Sequence, residues 1–219
     1  MADDAARAGA AGESGSGDAQ RAHVGGGDPR TERWYLATMA DKAAVEAIPA
    51  AERWEPQSPH AMLMETAARF PDRPAVSFQL KGGAKDSAET WDFRTLAAEV
   101  NRAANLFRRH GIGDDDAIAY LLPNCNETVL ALLGGLTAGR VCPVNPLLEA
   151  PQIAAILREN GAKAVVTLKA LPKIDIAQKV HAALADVPEV TVVFEVDLKR
   201  YLSPPLSWLV PLLRPKVEI

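Results

Sequence analysis

Residues Trp91 to Leu168 read WDFRTLAAEVNRAANLFRRHGIGDDDAIAYLLPNCNETVLALLGGLTAGRVCPVNPLLEAPQIAAILRENGAKAVVTL, and this stretch decides the fold. From Arg94 onward, Leu96, Val100, Ala104 and Phe107 recur at helical spacing, while Arg94, Glu99, Arg102, Arg108 and Arg109 fall on the other side. The spacing predicts one amphipathic helix. Asp92 is placed to accept a hydrogen bond from a free amide of its first turn, and Gly111 supplies the left-handed residue that ends such helices. Ala117 to Leu122 follows, an unbroken apolar run between an aspartate cluster and Pro123, which reads as a strand covered on both faces. A second helix is predicted with Asn126 as its cap, Val129, Leu132, Leu133 and Leu136 as its buried stripe, and Gly139 as its end.

The alternation then repeats. Val141 to Val144 reads as a short strand, and Pro151 fits the first turn of a third helix that carries Ile153, Ile156 and Leu157 and stops at Gly161. Ala164 to Leu168 reads as a strand, Ile176 to Leu184 as a helix, and Val190 to Val196 as another strand. Strands separated by helices need crossover connections, which make the strands parallel and lay helices on both faces of the sheet. The class is α/β, with right-handed crossovers.

Working outward, residues 1–30 are rich in Ala, Gly, Ser and Asp, with no aromatic side chain, and are expected to form a disordered tail. They have neither the basic start and apolar core of a secretory signal nor the acid-free composition of a mitochondrial presequence. Residues 31–59 are expected to be a helical and Pro-rich lead-in, with a short helix over Trp34 to Ala47 and a joint at Pro49, Pro56 and Pro59. Residues 60–200 hold the α/β unit, whose first helix carries Met62, Leu63 and Ala67. Residues 201–219 form an apolar, Pro-rich segment, uncharged from Leu202 to Leu213. It is too short to span a bilayer, which takes about 20 apolar residues, and is expected to pack against further sequence, with contact at a membrane surface as the alternative.

With 219 residues, 48% of them hydrophobic and 24% charged, the chain is long enough to bury a core. Its net charge of −4 leaves no basic footprint for nucleic acid. Two cysteines, Cys125 and Cys142, are too few for a disulfide framework and lack C-x-x-C spacing, so a reducing, cytoplasmic compartment is expected.

The words FPDRPAVSF at Phe70 to Phe78, ETWDFRTL, LLPN at Leu121 to Asn124, Ala138-Gly139 and the Pro143 to Pro146 loop, in this order and spacing, resemble the amino-terminal region of AMP-forming acyl-CoA synthetases, within the adenylate-forming superfamily. The resemblance implies the first subdomain of that enzyme's large domain, a distorted, mainly parallel sheet. It also implies a reaction: a fatty or other aliphatic carboxylic acid, ATP and coenzyme A give acyl-CoA, AMP and pyrophosphate through an acyl-adenylate, with magnesium. Two departures have physical readings. Asp92-x-x-Thr95 keeps a helix cap but loses the reciprocal glutamate of a capping box. Asp115 stands where a glycine is usual and is expected to take a positive φ with mild strain.

The family's chemistry uses a Ser/Thr/Gly-rich phosphate loop ending in Pro-Lys, a magnesium-binding carboxylate and a second lysine. Nothing in these residues matches them. Gly25-Gly26-Gly27, Gly82-Gly83 and Gly134-Gly135 read as tail, loop and helix interior, since none opens a helix after a strand with a following Lys-Ser or Lys-Thr. Asp114, Asp115 and Asp116 read as a solvated turn, and His23, His60, His110 and His181 lack ligand spacing. Cys125 has no partner that would make it a nucleophile, and Trp34, Trp54, Trp91 and Trp208 read as packing residues. No residue is therefore assigned a catalytic, cofactor-binding or metal-binding role. The chain by itself is expected to bind no cofactor and to be inactive, its partner being the remaining, carboxy-terminal part of the enzyme. A homo-oligomer stays open. Two alternatives belong to other classes: a non-catalytic interaction module derived from such an enzyme, and a small doubly wound nucleotide-binding domain.

Overall fold

The computed structural model describes residues 38–49, 52, 58–80, 82–83 and 88–217. The chain divides into two units, Met1–Pro56 and Gln57–Ile219. In the first, helix α1 (Met39–Glu46) begins in a reciprocal cap: Asp41 N donates to Thr38 Oγ1 at 3.1 Å, and Thr38 N donates to the Asp41 carboxylate at 2.8 Å. It accounts for part of the helix expected over Trp34 to Ala47. Residues 34–37, the tail over 1–30, and with them His23, Trp34, Trp54 and Gly25 to Gly27, lie outside the described residues.

The second unit opens with α2 (Pro59–Arg69), whose first residue is a proline and whose cap is Ser58, accepting from Ala61 N at 3.1 Å. Strands β1 (Pro74–Phe78) and β2 (Glu89–Asp92) then pair antiparallel, Phe78 opposite Glu89 and Pro74 opposite Asp92, with an irregularity between Pro74 and Val76. This hairpin holds the words FPDRPAVSF and ETWDF and was not anticipated as strand pairing. Helix α3 (Phe93–Arg109) follows directly. Thr95 N donates to Asp92 Oδ1 at 2.7 Å, so the aspartate cap holds without a glutamate partner, and Gly111 at φ +80° takes the chain out of the helix. Its buried side chains are Leu96, Ala97, Val100, Ala104 and Phe107.

The main sheet contains β3 (Ala117–Leu121), β4 (Arg140–Pro143), β5 (Ala162–Leu168) and β6 (Val192–Val196), in the order β4-β3-β5-β6 and parallel throughout. Between them run α4 (Asn126–Ala138), α5 (Ala150–Glu159) and α6 (Ile176–Leu184). The chain steps from β3 outward to β4 and then crosses back to β5 on the other side of β3. With crossovers of one hand, this reversal puts α4 on one face and α5 and α6 on the other. The packing agrees: α4 lies against α2 and α3, and α5 against α6. Central strands covered on both faces are apolar at nearly every position, as in β3 and β5, which are buried almost throughout. After β6, the chain makes a 3-10 turn (Leu198–Tyr201) and a last helix, α7 (Leu206–Leu213).

Helix α4 departs from expectation in two respects. Its cap position is Cys125, and Asn126, expected as the cap, is the first helical residue and fully buried. Its buried face is Ala131, Gly134, Gly135 and Ala138; Val129, Leu132 and Leu133 are only half-buried and Leu136 is exposed. The reason is close approach. A Cβ on Gly134 would lie 2.6 Å from Ala103 Cβ on α3, and one on Gly135 2.5 Å from Val141 Cγ2 on β4. Small residues let the helix sit against both neighbours at once, and the leucines fill the margins. Asp115 is the third correction. It does not take a positive φ; the turn is closed by Gly113 N donating to Asp116 Oδ2 at 2.8 Å.

Candidate functional site

In open parallel sheets, ligands sit beyond the carboxyl ends of the strands, at the point where the strand order reverses. Here that point is the end of β3 and β5, where Leu121 pairs with Thr167. Asn126 and Thr167 are fully buried, and both polar atoms of Asn126 and the Thr167 hydroxyl lack a hydrogen-bond partner. They are the buried polar side chains of the second unit among the described residues. Each such unpartnered group costs roughly 1–3 kcal/mol, so the reversal point concentrates the polar cost of this core.

Around it lies a charged clasp. Glu127, in the first turn of α4, accepts from Arg200 Nη1 at 2.9 Å and from Tyr201 Oη at 2.8 Å. Arg200 also reaches Glu89, which accepts from Trp91 Nε1 at 2.8 Å. Three segments far apart in sequence, β2, the start of α4 and the 3-10 turn, are thereby tied together. The Tyr201 ring packs edge-on against Phe78, 4.7 Å between centroids. Burial, followed by the Glu127 carboxylate that its hydroxyl serves, pushes the Tyr201 phenol far above its ordinary range. Burial raises Asp197 as well, but the Lys199 amide at 3.0 Å and the Arg214 guanidinium at 2.8 Å outweigh it and leave the carboxyl below its usual value.

This edge does not fit a polyphosphate. The turn into α4 is Pro123-Asn124-Cys125, without glycine, and the cap residue offers no side-chain hydrogen bond. Glu127 puts a negative charge in the first turn of α4, where the helix dipole would otherwise favour a phosphate, and it is held there by Arg200 and Tyr201. Nor do three or more His, Cys, Asp or Glu gather to hold a metal ion among the described residues. The described side chains at this edge do not match what ATP with magnesium or the phosphates of coenzyme A require.

The remaining candidates are dispersed. Asp116 accepts from Lys163 Nζ at 2.8 Å and the Asp115 carbonyl from Arg140 Nε at 3.0 Å, which makes the aspartate turn a structural bracket at the amino end of β3. His60 bonds Asn101 at 2.7 Å, His110 packs edge-on against Phe194 and His181 lies exposed on α6. Burial raises the thiols of Cys125 and Cys142, and both are free cysteines. Trp91 packs as expected, but Trp208 does not: it is exposed on α7. Sequence reasoning missed Asn126, Thr167 and the Glu89–Arg200–Glu127–Tyr201 clasp, because burial and contacts across more than 70 residues leave no local pattern.

The fold of this chain is similar to part of solved CoA ligases. It superposes on a long-chain-fatty-acid-CoA ligase from Archaeoglobus fulgidus with a TM-score of 0.56 and 19% identity, covering 65% of this chain and 28% of that one. On the Mycobacterium tuberculosis fatty acyl CoA synthetase the TM-score is 0.52 at 22% identity, over 63% of this chain and 26% of that one. The sequence model of the AMP-binding enzyme family matches residues 63–208, and the chain belongs to that family. It is 31% identical over 142 residues to the marinolic acid–CoA ligase of Pseudoalteromonas sp. (strain SANK 73390), covering 65% of this chain and 21% of that protein. It is 30% identical over 152 residues to the long-chain-fatty-acid–CoA ligase of Bacillus subtilis (strain 168), covering 69% of this chain and 25% of that protein. The chain thus spans about a fifth to a quarter of the length of these two relatives.

Proposed function

We propose that these residues form one segment of an AMP-forming acyl-CoA synthetase acting on a fatty or similar aliphatic carboxylic acid. The enzyme joins the acid to ATP as an acyl-adenylate with release of pyrophosphate, then transfers the acyl group to the thiol of coenzyme A with release of AMP. The observation that carries this reading is the family match over residues 63–208, together with 30–31% identity to two CoA ligases. The segment is not expected to adenylate by itself: the turn into α4 has no glycine, and Glu127 in its first turn brings negative charge to the helix end that would otherwise attract phosphate. Its contribution is architectural: a packed sheet and a hairpin clasped to it through Arg200.

ATP–pyrophosphate exchange with a panel of fatty acids tests both halves of the proposal. The assay is run on the 219-residue chain and on the full product of the coding sequence in which these residues lie. Exchange by the full product alone is the expected result. Exchange by the 219 residues would overturn the assignment of chemistry outside this segment, and silence in both would overturn the synthetase reading.

A further inference from the structure

A cavity of about 280 Å³ opens where α2 begins and where α3 and α4 end. Asn101, Asn105 and Arg108 stand at i, i+4 and i+7 and so share one face of α3. Leu136 and Thr137 come from the last turn of α4, and His60 from the first turn of α2. Along α4, Thr137 is about 15 Å from Glu127, so the cavity is separate from the carboxyl edge. Its lining contains no acid, in a chain whose net charge is −4. Arg108 Nη2 donates to the Thr137 carbonyl at 2.6 Å, one of the last carbonyls of α4, and Arg108 makes no ion pair among the described residues. The bond holds the guanidinium at the cavity and uses one of its N–H groups, leaving the rest of the fork to a ligand. The Asn105 carboxamide, one turn earlier, has no hydrogen-bond partner among the described residues either. His60 and Asn101 are bonded to each other at 2.7 Å.

Charge and lining together select the ligand. Arg108 is the permanent cation of the lining and balances one negative charge. A second negative charge would face the carboxyl end of α4, whose dipole is negative, so a phosphate dianion is disfavoured. The fork of a guanidinium fits the two oxygens of a carboxylate. Beside that charge the wall is aliphatic: Leu136 is 42% exposed, and Ala104 lies next to it in the lining. A few placed polar groups against apolar surface are what a small-molecule site needs. We propose that this cavity binds a small aliphatic monocarboxylate, its carboxylate on Arg108 and the Asn105 amide and its hydrocarbon on Leu136. Bound there, the ligand joins the ends of α3 and α4 and stabilises the folded chain by mass action.

The test titrates hexanoate into the nitrogen-15-labelled 219-residue chain, beside hexan-1-ol, acetate and inorganic phosphate. Side-chain amide and guanidinium resonances are followed together with the thermal transition. The expected result with hexanoate is a saturable shift of the Asn105 amide and the Arg108 Nε–H signals and a higher transition temperature. The other three compounds bind at least about tenfold more weakly. Arg108→Gln weakens hexanoate at least about tenfold, as loss of a charge-assisted pair requires. Asn105→Ala, which removes a group with no partner among the described residues, weakens it several-fold without lowering the transition of the ligand-free chain. Leu136→Ala weakens hexanoate and leaves acetate unchanged. Equal hexanoate affinity in Arg108→Gln and wild type would overturn the proposal. So would hexan-1-ol binding as tightly as hexanoate, which would show an apolar dent without charge recognition, or phosphate binding more tightly, which would assign the fork to a dianion. Shifts confined to the carboxyl edge, or no saturable shift at all, would overturn it too. The site stands or falls independently of the acyl-CoA chemistry, which is read by pyrophosphate exchange.

Discussion

Replacing Gly139 by alanine attacks the point where α4 returns to the sheet. The added Cβ would stand 2.6 Å from the carbonyl oxygens of both Asp116 and Gly113 and 3.4 Å from Ile112 Cγ2. Against an ordinary contact of about 3.5 Å, the two oxygens are too close by about 0.9 Å. Neither is a flexible side-chain end. The Asp116 oxygen accepts from Arg140 N at 2.9 Å and the Gly113 oxygen from Asp116 N at 3.0 Å, so the turn that opens β3 and the first residue of β4 must shift together. Gly139 lies just beyond the last helical residue, and alanine therefore gains no helix propensity there to offset the overlap. Overpacking of this kind costs about 1–3 kcal/mol, and weakening the Arg140 bond adds about 0.5–1.5 kcal/mol. The sum is a loss of about 2–4 kcal/mol, which at a urea slope of about 2 kcal/mol per molar lowers the unfolding midpoint by about 1–2 M. Gly82→Ala, where nothing lies within 4 Å of the new carbon, is the control and leaves the midpoint unchanged. A Gly139→Ala midpoint within about 0.2 M of wild type would refute the close-approach reasoning.

Three further outcomes are expected. Asn126→Leu, which removes two buried polar atoms that have no partners, raises stability by roughly 1–2 kcal/mol, read as a higher urea midpoint; a lower midpoint would mean that Asn126 is satisfied by ordered water. Tyr201→Phe loses one hydrogen bond to Glu127, worth about 0.5–1.5 kcal/mol, while Arg200 still holds the carboxylate. Because the folded-state phenol is raised above its unfolded value of about 10, wild-type stability declines as pH rises past that value, and the Phe variant shows a shallower alkaline decline in thermal melts. Asp197 has the opposite sign: its depressed folded-state value contributes stability above the unfolded carboxylate value of about 3.9, which is lost as pH falls through the lower folded one. Asp197→Asn is therefore less stable than wild type at neutral pH, and its melting temperature converges on the wild-type one in strong acid.

From Trp91 to Val196 the alternation of strand and helix was legible in the chain itself. Asp92, Gly111, Pro151 and Gly161 mark element ends, and the periods of α3, α5 and α6 are carried by side chains that interact within one or two turns. The resemblance to acyl-CoA synthetases was likewise written in short words at fixed order, and the family match over residues 63–208 agrees with it. The β1–β2 hairpin was not legible: strands of five and four residues are too short to establish a period, and the two are separated by ten residues of connecting sequence.

What only the tertiary structure decided is everything that depends on which surfaces meet. The order β4-β3-β5-β6 was one of these, since a crossover rule restricts hand but not neighbour choice. The buried face of α4 was another: its leucines advertise a stripe, yet Gly134 and Gly135 face α3 and β4 because only a missing side chain admits so close an approach. Arg200, Glu127 and Glu89 meet across 73 and 111 residues of sequence, and Asn126 is buried without partners; neither fact has a local signature. Secondary structure follows from neighbours along the chain, so composition and spacing reveal it. Packing partners are set by loop closure and surface complementarity across the whole chain, and those become visible only when it is folded.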